Sequence, residues 1–133
     1  MQSYRFALLA LLALTACDRP KEPDARQLAS HALRGVLKYP GSAIVSIAAG
    51  TDAAEVRLTS TAAVSAVADW YREALRLNGW QLKNEGTAPD GTATIYAEKE
   101  TQPLWITLRP GDGGGTSYTL IGAVPDSTVA KPN

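Results

Sequence analysis

Few residues in this chain are of types, and at spacings, that could do chemistry. Its one histidine, His31, follows Ser30. In a helix such neighbours point about 100° apart, which denies a serine nucleophile the hydrogen bond it needs from a histidine base. Asp69 and Glu73 stand four apart, as do Arg72 and Arg76. A carboxylate pair is one reading of that spacing, but interleaved charges of both signs on a helix read first as a solvated face. "RPGDGGGTS", residues 109–117, is rich enough in glycine to wrap a phosphate. It lacks the Gly-Lys-Ser/Thr ending, places an aspartate where it would repel an anion, and leads into a strand pattern, so it reads as a hairpin loop. One histidine and one cysteine, Cys17, are too few for a zinc site without several carboxylates. The expectation is therefore no catalytic residue, no metal and no cofactor.

The question becomes why a lone thiol sits at position 17. Arg5 is the only charge before Asp18, and "FALLALLALTA" (Phe6–Ala16) is an apolar run of signal-peptide length, too short to cross a bilayer as a helix. Leu14-Thr15-Ala16-Cys17 resembles the lipobox of bacterial lipoproteins. That resemblance implies cleavage before Cys17, lipid on its sulfur, and attachment to a membrane facing the periplasm. Two or more acyl chains suffice to hold a protein on a bilayer. Asp18 resembles the signal that retains enterobacterial lipoproteins in the inner membrane, and Arg19 modulates it, so inner and outer membrane both stay open. The organisation expected is a signal peptide over 1–16, a lipidated N-terminus and tether over 17–24, one domain over 25–124, and a loose tail over 125–133.

With 13 basic and 13 acidic residues the chain has no net formal charge, so no summed field attracts a polyanion and nucleic acid is not an expected partner. No second cysteine exists to make a disulfide with Cys17. The fold must rest on packing and hydrogen bonds.

Helical spacing begins after Asp24, a plausible N-cap, with Ala25, Leu28, Ala29, Ala32, Leu33, Val36 and Leu37 on one face until Tyr39-Pro40-Gly41. Two strand patterns follow, "SAIVSIAAG" (42–50) and "AAEVRLTS" (53–60), forming a hairpin over Thr51-Asp52. A second helix is expected with Ser60 or Thr61 as N-cap and Val64, Val67, Ala68, Tyr71 and Leu75 on its apolar stripe. Asn78-Gly79 ends it, and Trp80 falls where it can pack back on Leu75. Four strand patterns complete the chain: "WQLKNE" (80–85), "TATIYAEK" (92–99), "PLWITLR" (103–109) and "TSYTLIGAV" (116–124). The fold class expected is α+β, in the order α-β-β-α-β-β-β-β, an antiparallel meander with the helices on one face.

"YPGS" (39–42) before a strand and "DWYREALRLNGW" (69–80) at a helix end resemble a pattern in small, uncharacterised envelope lipoproteins. The resemblance implies a compact α+β module without catalytic residues. Trp70 and Trp105 each fall beside an apolar stripe, and Trp105, Tyr96 and Tyr118 are expected to share a sheet face as an aromatic patch. The leading expectation is a non-catalytic interaction or scaffolding module that binds an envelope protein through Trp70, Tyr96, Trp105 and Tyr118. The alternative is a small-ligand or lipid-binding domain, and the third a hydrolase.

Overall fold

The computed structural model describes residues 24–124. Cys17, Asp18 and Arg19 and the tail from 125 lie outside them. The elements are α1 (Ala25–Ala32), β1 (Ala43–Ala49), β2 (Ala53–Ser60), α2 (Val64–Leu77), β3 (Gln81–Thr87), β4 (Ala93–Lys99), β5 (Gln102–Pro110) and β6 (Thr116–Ala123). The class is α+β, as the hydrophobic periods indicate. Six antiparallel strands make one sheet in the order β1-β2-β6-β5-β4-β3.

That order corrects the simple meander. Strands β3 to β6 do run as a meander, but the β1–β2 hairpin joins it through β6 and not through β3. Helix α2 carries the chain from β2 across the sheet to the far edge, so the last strand closes the gap between the two halves. Val56 and Leu58 of β2 then lie opposite Leu120 and Tyr118.

Both helices cover the same face. Val67, Ala68, Tyr71 and Leu75 of α2 and Ala29 and Ala32 of α1 are buried with Leu58, Ile95, Leu104, Ile106, Leu108 and Leu120. Each fully buried side chain of this size removes apolar surface worth about 1.5–3 kcal/mol from water. Helix α1 is shorter than its periodicity suggests. It ends at Ala32, with Leu33 as C-cap donating to the Ala29 carbonyl and Gly35 in the left-handed region at φ 76° soon after. A glycine there turns the chain at no steric cost, and Leu37 is left half exposed. The Asp24 cap is as expected, its carboxylate accepting the Arg26 amide at 3.3 Å.

Helix α2 begins later than its composition suggests. Ser60 spends its hydroxyl on the Ala62 amide at 3.1 Å, and the N-cap is Ala63, which has no side chain to offer. Its other end follows the sequence closely. Gly79 sits at φ 81°, its amide bonds the Arg76 carbonyl, the Trp80 amide bonds the Leu75 carbonyl, and Trp80 and Leu75 are both buried. This pair of bonds is the Schellman ending, with its hydrophobic contact in place.

Candidate functional site

An apolar-walled hollow opens between the first turn of α2 and the β5–β6 hairpin loop. It measures about 480 Å³. Ala63, Val64 and Ala68 of α2 form one wall, Ala93 of β4 the floor, and Pro110 with Gly114 and Gly115 the other wall. Small side chains make the space, with Ala63, Val64, Ser65 and Ala68 on the helix side and the longer Asp69 and Arg72 also lining it. The amides of the first helical turn have no side-chain cap at this end, and such amides carry the positive end of the helix dipole.

The glycine loop is built into this wall. Gly113 and Gly114 are at φ 89° and 93°, conformations that side-chain-bearing residues rarely adopt. Gly111 donates to Gly115 at 2.7 Å, closing the loop. A Cβ on Gly115 would meet the Ser60 carbonyl oxygen at 2.4 Å, so the loop approaches the end of β2 closely. Sequence reasoning placed the loop correctly as a hairpin but missed that it walls a cleft. The signal available was only the run of small residues at both walls.

Charge gathers at the rim. Arg72 is bonded to Asp69 at 2.6 Å and to Glu85 on β3, tying α2 to the sheet edge. Glu85, and after it Asp69, hold the guanidinium above its ordinary value against partial desolvation. Glu73 pairs with Arg76 at 2.7 Å, and that hydrogen bond lowers its carboxyl below the usual range. The two carboxylates thus each face an arginine three residues on, and only Asp69 lines the cleft. His31 does not line that cleft. It is exposed, lies 3.4 Å from an Arg34 nitrogen, and lines a separate depression with Gln102 and Pro103. Ser30 donates its hydroxyl to the Gln27 carbonyl. No group of three or more metal-ligating side chains gathers among the described residues.

The expected aromatic surface comes apart into two. Tyr96 and Trp105 are directly opposite on β4 and β5, stacked with ring centroids 5.2 Å apart and planes at 26°. They lie on the outer sheet face, where Trp105 is 43% exposed. Glu98 accepts the Tyr96 hydroxyl at 2.6 Å, which raises the phenol above its ordinary value. Tyr118 corrects the expectation. It is 1% exposed, on the helix-covered face, and its hydroxyl is bonded to Ser42 at 2.6 Å in the interior. A hydroxyl with a buried partner can enter the core without the penalty of an unmade hydrogen bond. Trp70 also departs from the patch. It is half buried on α2, edge-on to Tyr39 at 5.5 Å and to Tyr71 at 5.0 Å, and so pins the α1–β1 connection to α2.

The START domain-like family matches residues 42–116, from the residue before β1 to the first residue of β6. The match spans more than half of the chain, and the chain belongs to that family. No curated protein and no solved structure matches significantly.

Proposed function

We propose that this chain is a membrane-anchored lipoprotein whose periplasm-facing domain binds a small, mainly apolar molecule in the cleft beside α2, without catalysis. The cleft carries the reading. Its volume of about 480 Å³ falls within the range of small-molecule sites, which are concave, mostly apolar and bordered by a few polar groups. Membership of the START domain-like family supports ligand binding in an α+β frame of this kind. The absence of catalysis rests on the separation of His31 and Ser30 from the cleft and on the pairing of Asp69, Glu73, Arg72 and Arg76 among themselves.

Ser65 stands exposed on the cleft wall and outside the core. Ser65→Trp places an indole in the opening while leaving the packed stripe of α2 untouched. Wild-type protein should enhance the fluorescence of the apolar probe 1-N-phenylnaphthylamine saturably, and Ser65→Trp should lose most of that signal at unchanged thermal midpoint. Equal probe binding by both proteins would remove the cleft as the site.

The membrane half of the proposal rests on the Leu14–Cys17 pattern and has its own measurement. Cys17→Ser should abolish metabolic labelling with palmitate and release the protein from the membrane fraction. Persistent labelling of the variant would contradict it.

A second reading, a scaffolding role toward an envelope protein, is favoured by the exposed Tyr96–Trp105 stack on the uncovered sheet face. Trp105→Ala would then lose a co-purifying partner while keeping probe binding.

A further inference from the structure

The face of the sheet turned away from the helices carries a hollow of its own, polar where the cleft is apolar. It is a groove of about 490 Å³ over β2, β6 and β5. The ladders set its parts side by side: Arg57 stands opposite Thr119, Thr119 opposite Thr107, and Ser117 opposite Arg109. Glu55 also lines the groove and accepts from Arg57 at 3.0 Å, which holds that guanidinium in place. Arg109 makes no ion pair among the described residues. The Asp90 carboxyl, lowered mainly by the Thr92 amide, feels Arg109 without pairing to it. On one side the groove runs into aromatic surface. Ile121 lines it, Trp105 stands opposite Ile121, and Tyr96 stacks on Trp105. Glu98 holds the Tyr96 hydroxyl at 2.6 Å, so the stack is a fixed platform.

We infer that this groove and platform bind a saccharide that carries a carboxylate, one ring lying on the Trp105 indole and the carboxylate meeting Arg109. Aromatic faces are electron-rich and attract the C–H bonds on the face of a sugar ring. Sugar hydroxyls both donate and accept, and the groove answers both: Arg57 donates, Glu55 accepts, and the hydroxyls of Thr107, Ser117 and Thr119 do either. An inorganic oxyanion offers acceptors only, meets Glu55 as a like charge and has no use for the indole. An apolar molecule leaves all these groups unpaired. A ligand carboxylate completes the charge, because the groove holds two guanidiniums against one carboxylate of its own. The planar arginine fork takes such a group in two parallel bonds. The chain has no net formal charge, so the acid is recognised by contact at Arg109 and not drawn in by a long-range field. Trp105 and Arg109 are four positions apart on β5, about 13 Å, so the ligand has more than one ring. The volume is that of a small-molecule site and not the broad area a folded partner needs. The inference does not use the cleft beside α2 and stands whether or not the reading of that cleft holds.

The test titrates the full-length chain, held in a detergent without a sugar headgroup, with trigalacturonic acid and with its methyl ester, followed by calorimetry. The two probes share their rings and differ in charge. Wild-type protein should bind the acid saturably and the ester about tenfold more weakly. Arg109→Gln should weaken the acid about tenfold, to the level of the ester, and leave the ester unchanged. Trp105→Ala should weaken both about tenfold. Both side chains are exposed and outside the core, so an unchanged thermal midpoint separates lost binding from lost fold. Thr119→Val, which removes one hydroxyl and keeps the side chain's shape, should also weaken both probes. Ser65→Trp, in the cleft on the other face, should change neither. Absence of saturable binding of the acid overturns the inference, as does equal binding by Trp105→Ala and wild type. Inorganic phosphate that displaces the acid and binds Trp105→Ala as tightly as wild type also overturns it, making the groove a site for oxyanions. Loss of the acid in Ser65→Trp overturns it too, by moving the saccharide to the cleft.

Discussion

Gly122→Ala should lower the thermal midpoint by roughly 15 °C, equivalent to about 3 kcal/mol for a domain of this size. A Cβ on Gly122 would lie 2.3 Å from the Ala32 carbonyl oxygen, 2.8 Å from its carbon and 2.9 Å from a Leu33 methyl. The first two are backbone atoms at the end of α1 and cannot rotate aside. Relief requires α1 to lift from β6. The same carbonyl accepts the Gln102 side-chain amide at 3.0 Å, so the lift also strips a bond that fixes the helix end to β5. Gly86→Ala is the control, because its Cβ would meet only the Thr94 hydroxyl at 3.4 Å on the outer side of the sheet. Differential scanning calorimetry on the two variants should show a large loss for the first and a small one for the second. Equal losses would mean that glycine's flexibility, and not the close approach of α1, governs position 122.

The second large effect is an alkaline loss of stability centred on Tyr71. This side chain is 1% exposed and its hydroxyl, like the Trp80 indole nitrogen, is buried without a hydrogen-bond partner among the described residues. Burial pushes its phenol far above the ordinary value near 10, and the neighbouring Tyr118 adds to the rise. Below pH 10 both the folded and the unfolded chain keep this proton, so stability from this group is complete. Above pH 10 the unfolded chain releases it and the folded chain does not. Stability therefore falls with rising pH, by about 1.4 kcal/mol for each pH unit that Tyr71 governs. Unfolding free energies from urea titrations at pH 8 and pH 11.5 should differ by an amount that shrinks by about 2 kcal/mol in Tyr71→Phe, which has no proton to release. At pH 8 that substitution should be near neutral or stabilising, since it removes a buried group with no partner. A Tyr71→Phe protein as alkali-sensitive as wild type would show that the hydroxyl ionises while folded.

Local periodicity was enough to place both helices and all six strands. In "PLWITLR" Leu104, Ile106 and Leu108 alternate with Trp105, Thr107 and Arg109, and the apolar set is the buried one. "TSYTLIGA" has no such contrast. Its inward set is Thr116, Tyr118, Leu120 and Gly122, and its outward set is Ser117, Thr119, Ile121 and Ala123. What decides between them is the Ser42 hydroxyl waiting for Tyr118 and the Ala62 carbonyl accepting from Thr116 at 2.8 Å. Both partners are far away in the chain, and no local pattern announces them.

The early end of α1 was hidden for a different reason. Val36 and Leu37 continue the helical spacing, but Gly35 in the left-handed region breaks the backbone that would carry it. The cleft was the least legible feature. It is made by what small residues leave unfilled at Ala63, Ala68 and Ala93. Absence of bulk in two separate elements, α2 with its cap and β4, registers as a space only after they have been assembled.

The order of strands also constrains how this domain comes into being. Strand β6 occupies the middle of the sheet, between β2 and β5, yet it follows all the other described elements in the chain. Until it arrives, the β1–β2 hairpin and the β3–β5 strands have no ladder between them. Pairings between segments so far apart in the chain are slow to form. The domain thus stays open along its central seam until β6 is made, and a chain cut short before Thr116 would be two half-sheets with exposed inner edges.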